Sequence, residues 1–149
     1  MKVFVRRASV FLSLLFLLAL TACGGGQPVA FVDLPMIPDA APLEEGANTI
    51  ADSVSNSFKA SLSSENVEVE LKLYAVPAEM SWEQIKTFYT DQLAATDWKS
   101  DERITQNSDT FKTVGWTRGG FASEQGLAVG YGRDLLGEGA FLMVALISE

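Results

Sequence analysis

The pattern of hydrophobic and polar residues is most regular between residues 67 and 76, where the two kinds alternate. The apolar positions are Val67, Val69, Leu71 and Leu73, and the positions between them are Glu68, Glu70, Lys72 and Tyr74. Because successive side chains of a strand point to opposite faces, this alternation predicts a strand with one buried face and one solvated face. Pro77 ends the pattern, because proline cannot donate to a ladder of backbone hydrogen bonds.

Two other segments place their apolar residues at helical spacing. In the segment 47–62 the stripe consists of Ile50, Val54, Phe58 and Leu62, with Ala47 and Ala51 beside it, and Asn48 is the expected N-cap. The segment 81–95 opens with a capping box formed by Ser81 and Gln84. It continues with Trp82, Ile85, Phe88, Tyr89 and Leu93. Both segments are therefore predicted to be helices.

The second half of the chain predicts four more strands. They cover 98–104, 110–118, 127–131 and 140–147, with a hairpin connection at 118–126 and a turn at 135–139. The strand 127–131 alternates large side chains with Ala128, Gly130 and Gly132, and such a bare face allows a helix to approach closely. The last strand is apolar on both faces, which is typical of a central strand that is covered on both sides.

The order of these elements is helix, strand, helix and four strands. Successive strands joined by short turns favour antiparallel pairing. We therefore predict an α+β fold: an antiparallel sheet of about five strands with two helices packed on one face.

The first 23 residues have the layout of an export signal. Lys2, Arg6 and Arg7 precede an apolar run of about a dozen residues, whereas a membrane-spanning helix needs about 20. The sequence Leu20-Thr21-Ala22-Cys23 then resembles the lipobox of bacterial lipoproteins. The resemblance implies a diacylglycerol thioether on Cys23, cleavage before it and acylation of its new amino group. It also implies anchoring in the cell membrane or the outer membrane, facing outside the cytoplasm. Gly24 follows Cys23, where an aspartate often signals retention in the inner membrane of two-membrane bacteria.

A tether follows the cysteine. The segment 24–27 is three glycines and a glutamine, and four prolines come within the next fifteen residues, at Pro28, Pro35, Pro38 and Pro42. We expect Leu34, Met36 and Ile37 to pack against the domain. The predicted organisation is a signal peptide at 1–22, a lipidated Cys23 with a flexible linker at 23–32, and one domain at 33–149. The glycines are expected to let the domain stand away from the membrane.

The domain also resembles small bacterial lipoproteins of unknown function. The resemblance lies in an extended Leu-Pro-x-x-Pro-x-Ala start at 34–40 and in a helix-to-strand unit containing Phe88, Tyr89, Leu93 and Trp98. It implies no activity.

Charge and composition narrow the possible functions. The chain has a formal net charge of −8, and loss of the first 22 residues leaves eight basic residues against 19 acidic ones. Such a domain repels nucleic acid, so no nucleic-acid partner is expected. Histidine, the commonest general base and metal ligand, is absent from the sequence, and the single cysteine cannot form an internal disulfide.

No sequence motif indicates catalysis or a cofactor. Neither Gly-x-Ser-x-Gly nor a phosphate-binding Gly-Lys-Ser/Thr loop occurs, and the acidic residues between 33 and 52 lack the spacing of a calcium loop. We therefore expect no enzyme activity, no metal and no cofactor. We expect a non-catalytic accessory domain that contacts a protein of the cell envelope. The alternative is a small binding module for a sugar or a lipid-like ligand, which would use Tyr74 beside Lys72 on the solvated face of their strand. A hydrolase built on two converging carboxylates is the least favoured.

Overall fold

The computed structural model describes residues 27–63, 65–120, 123–133 and 139–149. Helix α1 spans Thr49–Leu62 and helix α2 spans Trp82–Ala94. The strands are β1 (Ala41–Pro42), β2 (Glu68–Val76), β3 (Lys99–Ser100), β4 (Gln106–Asn107), β5 (Phe111–Gly120), β6 (Ser123–Arg133) and β7 (Ala140–Ser148). The α+β class is confirmed.

All seven strands form one antiparallel sheet. Its order is β1-β2-β7-β6-β5-β3, and β4 pairs beside β3 on the same outer side of β5. The sheet has more strands than the predicted five because β1 and β4 are two-residue strands, too short to produce a periodic pattern. The last strand of the chain, β7, lies in the middle between β2 and β6, with Val144 opposite both Lys72 and Val129.

Both helix starts follow the sequence prediction. The Asn48 side chain accepts a hydrogen bond from the amide of Ala51 at 2.8 Å, which caps α1. At the start of α2, the Ser81 hydroxyl accepts from the Gln84 amide at 3.3 Å, and the Gln84 side chain accepts from the Ser81 amide at 2.8 Å. Two of the unpaired amides at the start of α2 are thus satisfied by local chemistry.

One face of the sheet is covered by α2 and by a segment before β1 that contains a short 3-10 helix, Phe31–Asp33. We call the segment 29–37 the strap, and this face the strap face. The strap contributes Phe31, Leu34 and Ile37 to the core, and α2 contributes Ile85, Tyr89 and Leu93. The sheet residues of this core are Tyr74, Val76, Val114, Trp116, Leu127, Val129, Tyr131, Ala140, Leu142, Val144 and Leu146. The expected packing of Leu34, Met36 and Ile37 against the domain is confirmed.

The strap is fixed at its beginning by one buried glutamine. The amide of Val29 donates to Gln125 Oε1 at 2.8 Å, and Gln125 Nε2 donates to the Val29 carbonyl at 3.0 Å and to Ser148 Oγ at 3.2 Å. Packing therefore begins at Val29 rather than at residue 33, where the sequence placed the start of the domain.

Helix α1 lies on the opposite face, so the prediction that both helices share one face is wrong. This second face, which we call the glycine face, carries Leu71, Leu73, Gly115, Gly130, Gly132, Phe141, Met143 and Ala145. Helix α1 contacts β2 and β7, and it flanks Phe111 of the glycine face. The physical reason is β7, whose residues 140–146 are buried on both faces and need a layer on each.

The buried side of α1 differs from the predicted stripe. Its most buried residues are the small Ala51 and Ser55, whereas Ile50 is 38 % exposed and Val54 and Phe58 are half-buried. Small side chains against the sheet allow the helix to approach closely. The glycines of the sheet are instead covered by neighbouring side chains, because a methyl group at Gly130 would overlap Phe111 and one at Gly132 would overlap Phe141.

Two connections in the second half also differ from the prediction. The strand expected over 98–104 ends at Ser100, because the Asp101 carboxylate accepts the amide of Arg103 and starts a short 3-10 turn, Glu102–Ile104. The loop expected over 118–126 is largely strand, with Gly119 opposite Glu124. Most of the turn predicted at 135–139 lies outside the described residues.

The glycine at position 115 gives a direct test of this packing. A methyl group there would overlap Ile104, so we expect Gly115→Ala to lower the free energy of unfolding by about 1–3 kcal/mol. Gly126→Ala is the matched control, because its methyl group would lie at an ordinary 3.5 Å from Ile147. Chemical denaturation measures both, and equal effects of the two substitutions would contradict the packing described.

Candidate functional site

The large aromatic residues of the domain are mostly buried. Trp98, Trp116 and Tyr131 belong to the core, and Trp82 stacks on Tyr131 with ring centroids 6.4 Å apart. Tyr74 is 9 % exposed, so the expectation that its ring lies on a wet face is wrong. The strap covers the end of β2 where Tyr74 lies, and the sequence pattern of β2 alone could not reveal this cover.

Lys72, the other speculative ligand-binding residue, is exposed. Its ammonium group lies 3.0 Å from the Glu70 carboxylate and 4.4 Å from the centre of the Phe31 ring in the strap. Both charged side chains are about half exposed, so this ion pair contributes little to stability. Lys72 thus links the exposed edge of β2 to the strap.

A cleft lies beside β2, between its outer edge, helix α1 and the end of β1. Its volume is about 490 Å³, within the range of ligand-binding pockets. The lining residues are Pro42, Leu43, Glu45, Asp52, Ser55, Asn56, Lys59, Leu71, Lys72, Leu73 and Tyr74. The structure therefore brings Tyr74 and Lys72 together at one cleft, although the buried ring of Tyr74 offers it no stacking surface.

The cleft mixes acidic and basic side chains with an apolar floor. Its lining includes the acidic Glu45 and Asp52, the basic Lys59 and Lys72, and the half-buried Leu43, Leu71 and Leu73. The Asp52 carboxylate accepts the amide of Gly46 at 2.9 Å, which fixes the turn between β1 and α1. Within the described part of the chain, no group of three or more acidic or cysteine side chains is placed to hold a metal ion.

The outer edge of β2 beside this cleft has backbone groups that no described strand pairs. β1 covers only Tyr74 and Ala75, and the amide of Leu43 donates to the Leu73 carbonyl at 2.9 Å. Backbone groups of an antiparallel strand alternate between its two sides, so the amides and carbonyls of Val69 and Leu71 point outward in the same direction as the Leu73 carbonyl. Among the residues that the structure describes, nothing pairs with these two residues on that side.

On the opposite side of the sheet, the outer backbone groups of β5 are largely paired. β3 and β4 pair with β5, and between them the amide of Asp101 donates to the Gly115 carbonyl at 2.8 Å. The Thr113 hydroxyl donates to the Ile104 carbonyl at 2.8 Å and accepts the amide of Gln106 at 2.9 Å. This contrast between a sealed edge at β5 and an unpaired edge at β2 identifies the β2 edge and its cleft as the candidate functional site.

A smaller cleft of about 360 Å³ lies at the start of α2. The Tyr131 hydroxyl donates to the Met80 carbonyl at 3.0 Å and accepts from Arg133 Nε at 2.7 Å, while Arg133 Nη2 donates to the Ala78 carbonyl at 3.2 Å. These groups bind the loop before α2 to β6, so this cleft has a structural explanation.

Two features of the site were not anticipated from the sequence. The unpaired edge of β2 depends on where β1 ends, and a two-residue strand leaves no periodic signal. The role of Gln125 was also not predicted. Gln125 lies two residues before Leu127, on the same face of the strand as Leu127, Val129 and Tyr131, and a glutamine on a buried face indicates an amide with a specific hydrogen-bond partner.

Comparisons with known proteins add no relatives. No protein-family model matches the chain, and no curated protein or solved structure matches it. None of the helices in the described ranges is both long and apolar enough to cross a membrane.

The sealed β5 edge should respond to pH through Asp101. The side chain and the backbone amide of Arg103 both hydrogen-bond the Asp101 carboxylate, and these bonds outweigh its desolvation and lower its pKa. A carboxyl with a lowered folded-state pKa stabilises the fold above its unfolded pKa of about 3.9, and this stabilisation is lost as the pH falls through the folded value.

We therefore expect Asp101→Asn to lower the denaturation midpoint at neutral pH, and the difference from the parent protein to shrink below about pH 4. Urea denaturation across this pH range measures the difference. Asp91→Asn, on the exposed side of α2, controls for the loss of one negative charge. A difference that stays constant down to pH 2 would show that the Asp101 charge has no such role.

Proposed function

We propose that the chain is a lipid-anchored extracytoplasmic lipoprotein whose domain is a non-catalytic protein-interaction module. The observation that carries the proposal is the unpaired outer edge of β2 beside a cleft of about 490 Å³. Both faces of the sheet are covered by helices and the strap, and the β5 edge is sealed. Unpaired strand edges are where a sheet most readily binds another chain.

The anchor is proposed from the sequence around Cys23. Each buried methylene of an attached acyl chain contributes roughly 0.8 kcal/mol of membrane binding, and two or more chains give stable attachment where one does not. A cysteine carrying diacylglycerol and an acylated amino group satisfies this requirement. Cys23 would then have no free thiol for redox chemistry or catalysis.

The position of the strap limits how far the domain can stand from the membrane. Five residues separate Cys23 from Val29, the first described residue bonded to the sheet, and the six steps between the two Cα atoms span at most about 21 Å when fully extended. The end of the sheet that carries Gln125 and Ser148 is therefore held close to the membrane.

The second candidate is a small ligand-binding module, favoured by the volume of the β2 cleft. A sugar site usually includes an exposed aromatic ring for stacking, and Tyr74 is buried. The cleft is instead lined by charged side chains of both signs and lies beside an unpaired strand edge, which suit a polypeptide better than a sugar. An enzymatic role is not proposed, because no catalytic constellation stands out among the described residues.

The protein-interaction proposal is tested by chemical cross-linking of the full-length protein in its native membrane, followed by identification of what is attached. We expect a specific envelope protein that is recovered in repeated purifications. A glycan array supplies the competing readout. Binding to a glycan without any cross-linked protein would overturn the proposal in favour of the ligand-binding module.

Substitution of the cysteine tests the anchor. We expect Cys23→Ser to release the protein from the membrane fraction or to leave the signal peptide uncleaved, because neither thioether formation nor the following cleavage can occur. Membrane fractionation and the mass of the mature protein measure both outcomes. Gly25→Ala is the matched control, which leaves the four-residue motif intact. Normal cleavage with unchanged membrane attachment of Cys23→Ser would refute lipidation at this residue.

A further inference from the structure

We propose that the outer edge of β2 binds an extended strand of a partner protein, with apolar residues at alternate positions and basic residues between them. The inference rests on the proposed function and specifies the partner's chemistry. In this mode of recognition, backbone hydrogen bonds supply affinity, and the alternating side chains supply specificity.

The backbone of β2 provides the template. Val69 and Leu71 direct an amide and a carbonyl outward, and the bond between Leu43 and Leu73 shows that the next position along this edge already accepts a strand partner. Where β1 ends, the chain turns away into the Gly46 turn, and the cleft of about 490 Å³ lies beside this point, lined by Leu43 and by Leu71. An added strand would therefore continue the ladder that β1 begins.

The side chains along the edge define the chemistry of that strand. Glu68 and Glu70 are exposed on the strap face, two residues apart. Glu70 pairs with Lys72 at 3.0 Å, so these three side chains keep a net negative charge that favours basic side chains on a neighbouring strand. Val69 and Leu71 are half-buried on the glycine face, where apolar neighbours would complete their burial. A strand that alternates basic and apolar residues would place its basic side chains beside the glutamates and its apolar side chains beside Val69 and Leu71.

A second copy of this chain is a poorer occupant. Two-fold pairing centred on Val69 sets Glu68 against Glu70 of the other copy. Pairing centred on Glu70 sets that glutamate against itself; it also sets Glu68 opposite Lys72, but only residues 68–72 can then pair, because Leu43 already bonds to Leu73. Like charges directly opposite each other destabilise a strand pair. Pairing centred on Leu71 would place the second strand on positions that β1 already holds. Charge and space therefore favour a basic partner strand.

The proposal is tested with two synthetic peptides and the full-length protein in detergent. One peptide alternates valine with lysine, and the other alternates valine with glutamate. We expect the lysine peptide to bind and to shift the amide resonances of Val69 and Leu71, while the glutamate peptide binds at least tenfold more weakly. The double variant Glu68→Lys/Glu70→Lys should weaken binding of the lysine peptide by at least tenfold.

The matched control is Glu83→Lys/Glu102→Lys, which changes the net charge equally at exposed positions away from the edge. It should bind the lysine peptide within about threefold of the parent protein. Val69→Pro removes an outward amide without removing a hydrogen bond to β7. It should therefore weaken binding of the lysine peptide and leave the denaturation midpoint of the protein unchanged. If both charge variants weaken binding alike, or if the amide shifts map elsewhere, the strand site is wrong. Dimerisation through these amides without peptide would also overturn it.

Site-specific photo-cross-linking distinguishes a failure of the strand site from a failure of the proposed function. A photo-reactive side chain placed at position 69 in native membranes should cross-link the partner protein, whereas the same group at Lys99 on the opposite edge should not. Cross-linking of the partner from Lys99 alone would overturn the strand site and leave a protein-interaction domain. No cross-linked protein from either edge would overturn the proposed function itself.

Discussion

The structure depends on the burial of β7 on both of its faces. Residues 140–146 are all buried, and the strand lies between β2 and β6 at the centre of the sheet. A strand that is apolar all round needs a layer on each side. Helix α2 and the strap provide one layer, and α1 provides the other. Once both faces are covered, binding surfaces built from the sheet are restricted to its edges.

The strap connects this constraint to the place where the protein is held. It completes the core with Phe31, Leu34 and Ile37, and the Gln125 amide fixes its beginning at Val29. If Cys23 is lipidated, the same segment is both part of the fold and the end of the anchor. Movement between membrane and domain is then limited to the few residues between them, and the outer edge of β2 stays near the membrane.

Local patterns predicted most of the secondary structure and little of the site. The caps at Asn48 and Ser81 and the central position of β7 were correct, because each depends on neighbouring residues or on composition alone. The placement of α1 was wrong because the helix presents small residues, Ala51 and Ser55, rather than its apolar stripe. Tyr74 was placed on a solvated face because its cover, the strap, is distant in sequence. The unpaired edge depends on the length of β1, which no pattern encodes.

Amide hydrogen exchange along β2, measured by NMR on the free protein, tests the central claim most directly. If the outer edge of β2 is unpaired, exchange rates alternate along the strand. We expect fast exchange at Val69 and Leu71, whose amides point outward, and slow exchange at Glu70 and Lys72, whose amides bond to β7. Uniformly slow exchange at all four residues would contradict an unpaired edge, because it would mean that another segment already pairs with β2 in the free protein.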